Sequence, residues 1–181
     1  LRIARTELNN PYLVTEIVSF SKILGPGMRV AYAIGAPELI AKMVSWQQKV
    51  TISPDCTTER VIAKFLAEGY MGPHIKNLCE FYKPYLDKML ACLSAEMPVY
   101  VQWTKPKGGI FIWLWLPEDI NADTLFYKAK DHLVTFIPGS KFYPEGQERF
   151  NCLRLNYTYS SMEQIEIGIK RLGELIKSIY V

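Results

Sequence analysis

The sequence predicts an α/β protein whose C-terminal part is an α+β domain, an antiparallel sheet with helices in two layers. Three observations carry this. Residues 75–93 repeat apolar side chains at a 3.6-residue period (Ile75, Leu78/Cys79, Tyr82, Leu86, Met89/Leu90, Leu93), the mark of a long amphipathic helix. After Pro98 the pattern changes to strand-like runs at 99–103 and 110–116. The chain then ends on a helical pattern opening at Ser161, so strands and helices are segregated as in two-layer folds.

The elements follow in order. Residues 13–18 and 29–34 are β-prone runs flanking a Gly/Pro turn. Residues 37–48 form a helix with Glu38 in its first turn and Leu39, Met43 and Trp46 apolar. Thr57 or Thr58 caps the next helix, which carries Val61, Ile62, Phe65 and Leu66 and stops at Gly69. Pro84 lies inside the long helix and should kink it, because proline lacks the backbone donor and crowds the preceding turn. Cys79, on the apolar stripe, is expected in the core.

Residues 110–116 are apolar at nearly every position, so this strand should be central and covered on both faces. Pro106-Lys107-Gly108-Gly109 turns the chain into it. Asn121 or Asp123 opens a helix through Leu125, Phe126 and Ala129; residues 134–137 and 152–157 are further strands. Gly108-Gly109 and Pro138-Gly139 are turn and close-approach positions. Ser161 and Gln164 have capping-box spacing at the start of the last helix.

The 181 residues suffice for one substantial core or a domain with an appended piece. A net charge of +3, with no block of Lys or Arg, argues against direct binding of nucleic acid. No apolar stretch is long enough to cross a bilayer, and the start has no signal-peptide layout. Cys56, Cys79, Cys92 and Cys152 are scattered, and with only His74 and His132 beside them they make no metal motif. Reduced thiols in a cytoplasmic protein are expected. Both histidines fall in helical segments and read as structural or solvated.

Chemistry concentrates at Ser19-Phe20-Ser21-Lys22 and at Gly25-Pro26-Gly27-Met28-Arg29. An amine, two hydroxyls and a guanidinium meet around one turn. Hydroxyls and a bidentate arginine suit a phosphate, and a lysine amine condenses with an aldehyde. An ordinary surface lysine is the competing reading of the motif alone. Arg154, between Leu153 and Leu155, is either an exposed strand charge or a carboxylate ligand; Asn156, Tyr157, Trp113 and Trp115 read first as packing and hydrogen-bonding residues.

The segment from Ser19 to Val30 resembles the S-F-S-K-x-x-x-P-G-x-R segment of the fold-type-I, class I/II pyridoxal-phosphate aminotransferases. The similarity continues in order through Pro106-Lys107-Gly108-Gly109-Ile110-Phe111-Ile112-Trp113-Leu114, Phe136-Ile137-Pro138-Gly139-Ser140-Lys141-Phe142-Tyr143 and Leu153-Arg154-Leu155-Asn156-Tyr157. The branch it most resembles holds 2-aminoadipate and aromatic aminotransferases and the aminotransferase-like domains of MocR-type regulators. The resemblance implies pyridoxal 5′-phosphate as cofactor, amino acid and 2-oxo acid substrates, and a homodimer with its site at the subunit interface. It implies Lys22 as the catalytic lysine, Ser19, Ser21 and Arg29 as phosphate ligands, and Arg154 as the clamp on the substrate carboxylate. Domains are then expected at 1–50 (a remnant of the fold-type-I large domain), 51–97 (connecting helices) and 98–181 (the small domain).

Members of this family are typically about twice as long, so the chain is expected to be a C-terminal portion of such an enzyme. The family's ring-contacting Asn and aromatic belong to segments expected upstream of residue 1. Asn9-Asn10-Pro11-Tyr12 resembles a degraded D-x-P-Y, with Asn9 where the family has the Asp that pairs with the pyridine nitrogen; an ordinary turn is the other reading. Val18 stands where the family commonly has a smaller residue. The portion alone is therefore expected to bind cofactor weakly. Two alternatives remain for function: the effector domain of a MocR-type regulator, or a truncated, non-catalytic paralogue.

Overall fold

The computed structural model describes residues 13–51 and 55–180. The chain divides into two compact units, Leu1–Leu78 and Cys79–Val181.

In the first unit, β1 (Glu16–Ser19) and β2 (Ala31–Ile34) pair antiparallel, with Ser19 opposite Ala31 and Val18 opposite Tyr32. The turn draws Arg29 and Val30 out of the ladder, so β2 is shorter than its β-prone run, whereas β1 starts later than its run and extends one residue further, to Ser19. Helix α1 (Pro37–Val50) opens with Pro37 in its first turn, where the missing N–H costs nothing. Helix α2 (Cys56–Ala67) is capped by Asp55 rather than by Thr57 or Thr58: its carboxylate accepts from both threonine N–H groups, at 3.0 and 3.2 Å. Asp outcompetes the threonines by standing one residue outside the helix, where the orphan donors point. The Thr58 hydroxyl, donating to Asp55 Oδ2 at 2.5 Å, and then these backbone bonds hold its carboxyl below the usual range. Gly69, at φ 75°, ends the helix in the left-handed region. Among the described residues of this unit, Phe20 and Ile62 are the buried apolar ones; α1 buries none.

Helix α3 (Met71–Glu96) runs unbroken through Pro84. One lost rung does not end a helix whose Met89, Cys92 and Leu93 are buried in the second unit's core. Cys79 is exposed, contrary to expectation, because that core reaches along α3 only as far as Tyr82.

The second unit is a four-stranded antiparallel sheet in the order β3-β4-β6-β5, from β3 (Gln102–Trp103), β4 (Phe111–Trp115), β5 (Ile137–Pro138) and β6 (Cys152–Asn156). Register places Ile112 opposite Leu155 and Leu114 opposite Leu153. That face packs on the second half of α3, on α4 (Ala122–Asp131) and on α5 (Met162–Lys177), making one core in two layers as predicted. The central position of β4 is as expected, but its second face is open: Phe111 and Trp113 are half-buried and Trp115 is exposed. Asn121 caps α4, accepting from the N–H groups of Asp123 and Thr124 at 2.8 and 3.2 Å. Both bonds of the Ser161–Gln164 capping box are formed. A Cβ on Gly139 would stand 2.2 Å from Cys152 Sγ, so the predicted close approach is real. Among the described residues no helix is long and apolar enough to cross a membrane.

None of the four cysteines forms a disulfide, and their environments differ: Cys56 and Cys79 are exposed, while Cys92 and Cys152 are buried. Burial pushes both buried thiols up, so less thiolate is present at neutral pH. Brief iodoacetamide treatment at pH 8 should alkylate Cys56 and Cys79 and spare the other two, as peptide mass spectrometry would show. Equal labelling of all four would mean that the second unit's core opens readily.

Candidate functional site

The turn between β1 and β2 is built around Phe20. Its N–H donates to Val30 O at 3.0 Å, and its carbonyl accepts from Ile23, Leu24 and Gly25. Its ring is buried against Tyr32, with centroids 5.6 Å apart. With Phe20 anchored inward, its neighbours Ser19, Ser21 and Lys22 are displayed on the turn, Ser19 and Lys22 exposed. Residues 20–22 form a 3₁₀ turn in which Ser19 is the cap, its hydroxyl accepting from Ser21 N–H at 3.2 Å.

A second 3₁₀ turn, Pro26–Met28, packs on the first and ends at Arg29. Arg29 adopts φ 53° and ψ 31°, a left-handed conformation uncommon for a residue with a Cβ. Among the described residues its guanidinium makes one long contact, Nη1 donating to Pro26 O at 3.5 Å. Among the described residues neither Lys22 nor Arg29 pairs with a carboxylate, and no acidic residue occurs from 17 to 37. Two cations and two hydroxyls around one turn, with no anion of their own, form a donor set for a phosphate dianion.

His74, on α3, reaches this turn from 51 residues away. Its Nε2 lies 2.6 Å from Ile23 O, next to Lys22, and its ring meets Phe65 edge-on. It is structural, as expected, and it braces the backbone beside the lysine. Nothing in the local sequence signals that bond.

Arg154 is in the second unit, on the open face of β6, opposite Trp113 and Ile137. Its guanidinium carbon lies 3.7 Å from the Phe111 ring centroid and 4.5 Å from that of Phe142. No described carboxylate pairs with it. Asn156 and Tyr157 are structural, as read. The Asn156 side chain accepts from Thr158 and Tyr159 N–H groups, and the buried Tyr157 hydroxyl donates to Gly109 O. Clefts of about 410 Å³ in each unit are lined by none of the five predicted site residues. The cleft in the first unit has walls such as Val18, Leu66 and Ile75, which suit no anion. The Asn9-Asn10-Pro11-Tyr12 motif lies outside the described residues.

The first unit thus displays Lys22 and Arg29 on a hydroxyl-capped turn, and the second unit, by itself, carries Arg154 against two aromatic rings. The chain belongs to the aminotransferase class I and II family, whose pattern matches residues 5–172. It is 40% identical over 159 residues to aromatic-amino-acid aminotransferase 1 of Thermococcus litoralis, covering 88% of this chain and 38% of that protein. The crystal structure of a Pyrococcus horikoshii kynurenine aminotransferase in complex with PMP superposes with a TM-score of 0.91 at 38% identity, covering 96% of this chain and 43% of that one. An uncharacterized HTH-type transcriptional regulator of Bacillus subtilis is 28% identical over 166 residues, covering 92% of this chain and 34% of that protein. The chain thus spans about two fifths of the length of the aminotransferases it matches.

Proposed function

We propose that the chain is the C-terminal portion of a pyridoxal-phosphate aminotransferase that exchanges an amino group between an L-amino acid and a 2-oxo acid. The observation that carries this is the turn at residues 19–29, with Lys22 and Arg29 unpaired among hydroxyls and the backbone held in place from beneath by Phe20. In this reading residues 1–50 belong to the large cofactor-binding domain, 51–97 connect, and 98–181 are the small domain. The parent is a cytoplasmic homodimer, with aromatic or 2-aminoadipate-like substrates.

When bound, the cofactor's conjugated ring withdraws electrons from the substrate Cα–H bond. The chain's own groups do the rest. Ser19, Ser21 and Arg29 hold the phosphate, Ser21 and Arg29 through donors that no carboxylate occupies. Lys22 Nζ is the amine nucleophile and the carrier of the proton taken from Cα. Arg154 grips the α-carboxylate through its planar fork and sets the substrate's orientation.

The test is chemical trapping. The chain is mixed with pyridoxal 5′-phosphate, reduced with borohydride and digested, and the modified lysines are located by mass spectrometry. Lys22 is exposed like most lysines here, so selectivity must come from the phosphate ligands. Label concentrated at Lys22, and dispersed by Ser19→Ala with Ser21→Ala, is the expected result. Label spread evenly over surface lysines would sink the assignment. A second reading, an aminotransferase-like effector domain, is favoured by the Bacillus subtilis match. Turnover of an amino donor with 2-oxoglutarate by the full-length protein would separate the two.

A further inference from the structure

We propose that Phe111 and Phe142 are positioning residues that hold the Arg154 guanidinium by its two faces and present its N–H edge, already oriented, to an incoming carboxylate. This rests on the reading of Arg154 as the carboxylate site. It adds a mechanism by which β4 and the turn after β5 determine how well that site binds.

The proposed arrangement is a sandwich. The guanidinium carbon is 3.7 Å from one ring centroid and 4.5 Å from the other, well within the range of cation–π attraction. Stacking uses the flat faces of the guanidinium. Its five N–H donors lie in the plane and remain available at the edge. Among the described residues no carboxylate takes them. An unstacked arginine would sample many rotamers, and a ligand would have to order it on binding. A stacked one has lost that freedom beforehand.

The two rings arrive by independent routes. Phe111 stands on β4 opposite Asn156, diagonal to Arg154 on the same sheet face, within the reach of long side chains across a strand pair. Phe142 ends the 3₁₀ turn Gly139–Phe142, which is anchored where the buried Ser140 hydroxyl donates to Asp123 Oδ1 at 2.9 Å. Trp113 meets Phe142 with centroids 5.4 Å apart at 74°, an edge-on contact. Phe142 remains 44% exposed and belongs to no core, so burial of its own surface does not account for its place. Leu or Met there would cover similar area without the ring's attraction for a cation.

Nitrogen-edited NMR of this chain tests the proposal, with sodium propionate as a carboxylate probe that carries no ring. In the wild type, ring currents should displace the Arg154 δ-methylene and Nε–H signals upfield, and propionate should titrate the Nε–H. Phe142→Leu should abolish much of the displacement and weaken the titration about tenfold, while Phe142→Tyr restores both. Trp115→Leu, on the same face outside the sandwich, should change neither. Wild-type affinity in Phe142→Leu, or unshifted δ-methylene signals in the wild type, would overturn the positioning role and leave Arg154 as the ligand. Undiminished propionate binding by Arg154→Gln would instead overturn the carboxylate site itself, and the proposal with it.

Discussion

Leu114→Ala is expected to lower the stability of the second unit by about 3 kcal/mol, within the range for emptying a fully enclosed leucine site. Leu114, in the central strand β4, has 0% exposure. It stands between Trp103 on β3 and Leu153 on β6, inside the core formed with the helices. Strand pairing on both sides keeps the backbone from collapsing into the space, so the cavity stays. Against a typical total of roughly 5–15 kcal/mol, that is a large share. Trp115→Leu, one residue along but on the open face, should cost under about 1 kcal/mol, as surface substitutions do. Urea unfolding followed by tryptophan fluorescence reads the contrast, because Trp103, Trp113 and Trp115 lie in this unit and only Trp46 outside it. Equal losses for the two variants would mean that the open face of the sheet is as tightly covered as the core face.

The same strand shows what sequence pattern conveys and where it stops. The continuous apolar run of residues 110–116 located β4 and its central place, since no edge strand needs apolar residues at nearly every position. It also implied cover on both faces, and there it misled. Phe111 lies against a cation and Trp113 against the ring of Phe142, a use of aromatic surface that hydrophobicity does not distinguish from core packing. Which ring meets Arg154 depends on register (Phe111 against Asn156) and on a turn that returns Phe142 from outside the sheet. Neither is local.

Local signals did better. The Ser161–Gln164 box needs only four consecutive residues, and both its bonds are present. The strands at 99–103 and 134–137 shrank to two residues each, because strand length is set by the partner: β-prone Val99 has no partner and lies fully exposed. The Lys22 turn was legible for the converse reason. Its chemistry-bearing residues lie within eleven positions, so a turn suffices to gather them. The brace from His74 crosses 51 residues and could only come from the fold.

Arg29→Gly should move stability and function in opposite directions. Arg29 has a Cβ at φ 53°, which costs a non-glycine residue on the order of 1 kcal/mol. Glycine relieves that strain but adds freedom to the unfolded chain, so a net gain of about 0.5 kcal/mol is expected for the first unit. Little contact energy opposes the gain, since among the described residues the guanidinium's one bond is the 3.5 Å contact to Pro26 O. Phosphate binding suffers instead. Two charge-assisted bonds at about 1.5 kcal/mol each amount to roughly a hundredfold loss, read as slower trapping of pyridoxal 5′-phosphate at Lys22. Arg29→Lys keeps the strain and the charge but not the fork, and should fall between, with unchanged stability and roughly tenfold weaker trapping. A selected phosphate ligand is the only role that predicts a variant more stable and less competent at once. If Arg29→Gly unfolds more easily and still traps cofactor at Lys22 at the wild-type rate, Arg29 serves the turn and the phosphate is held by the serines alone.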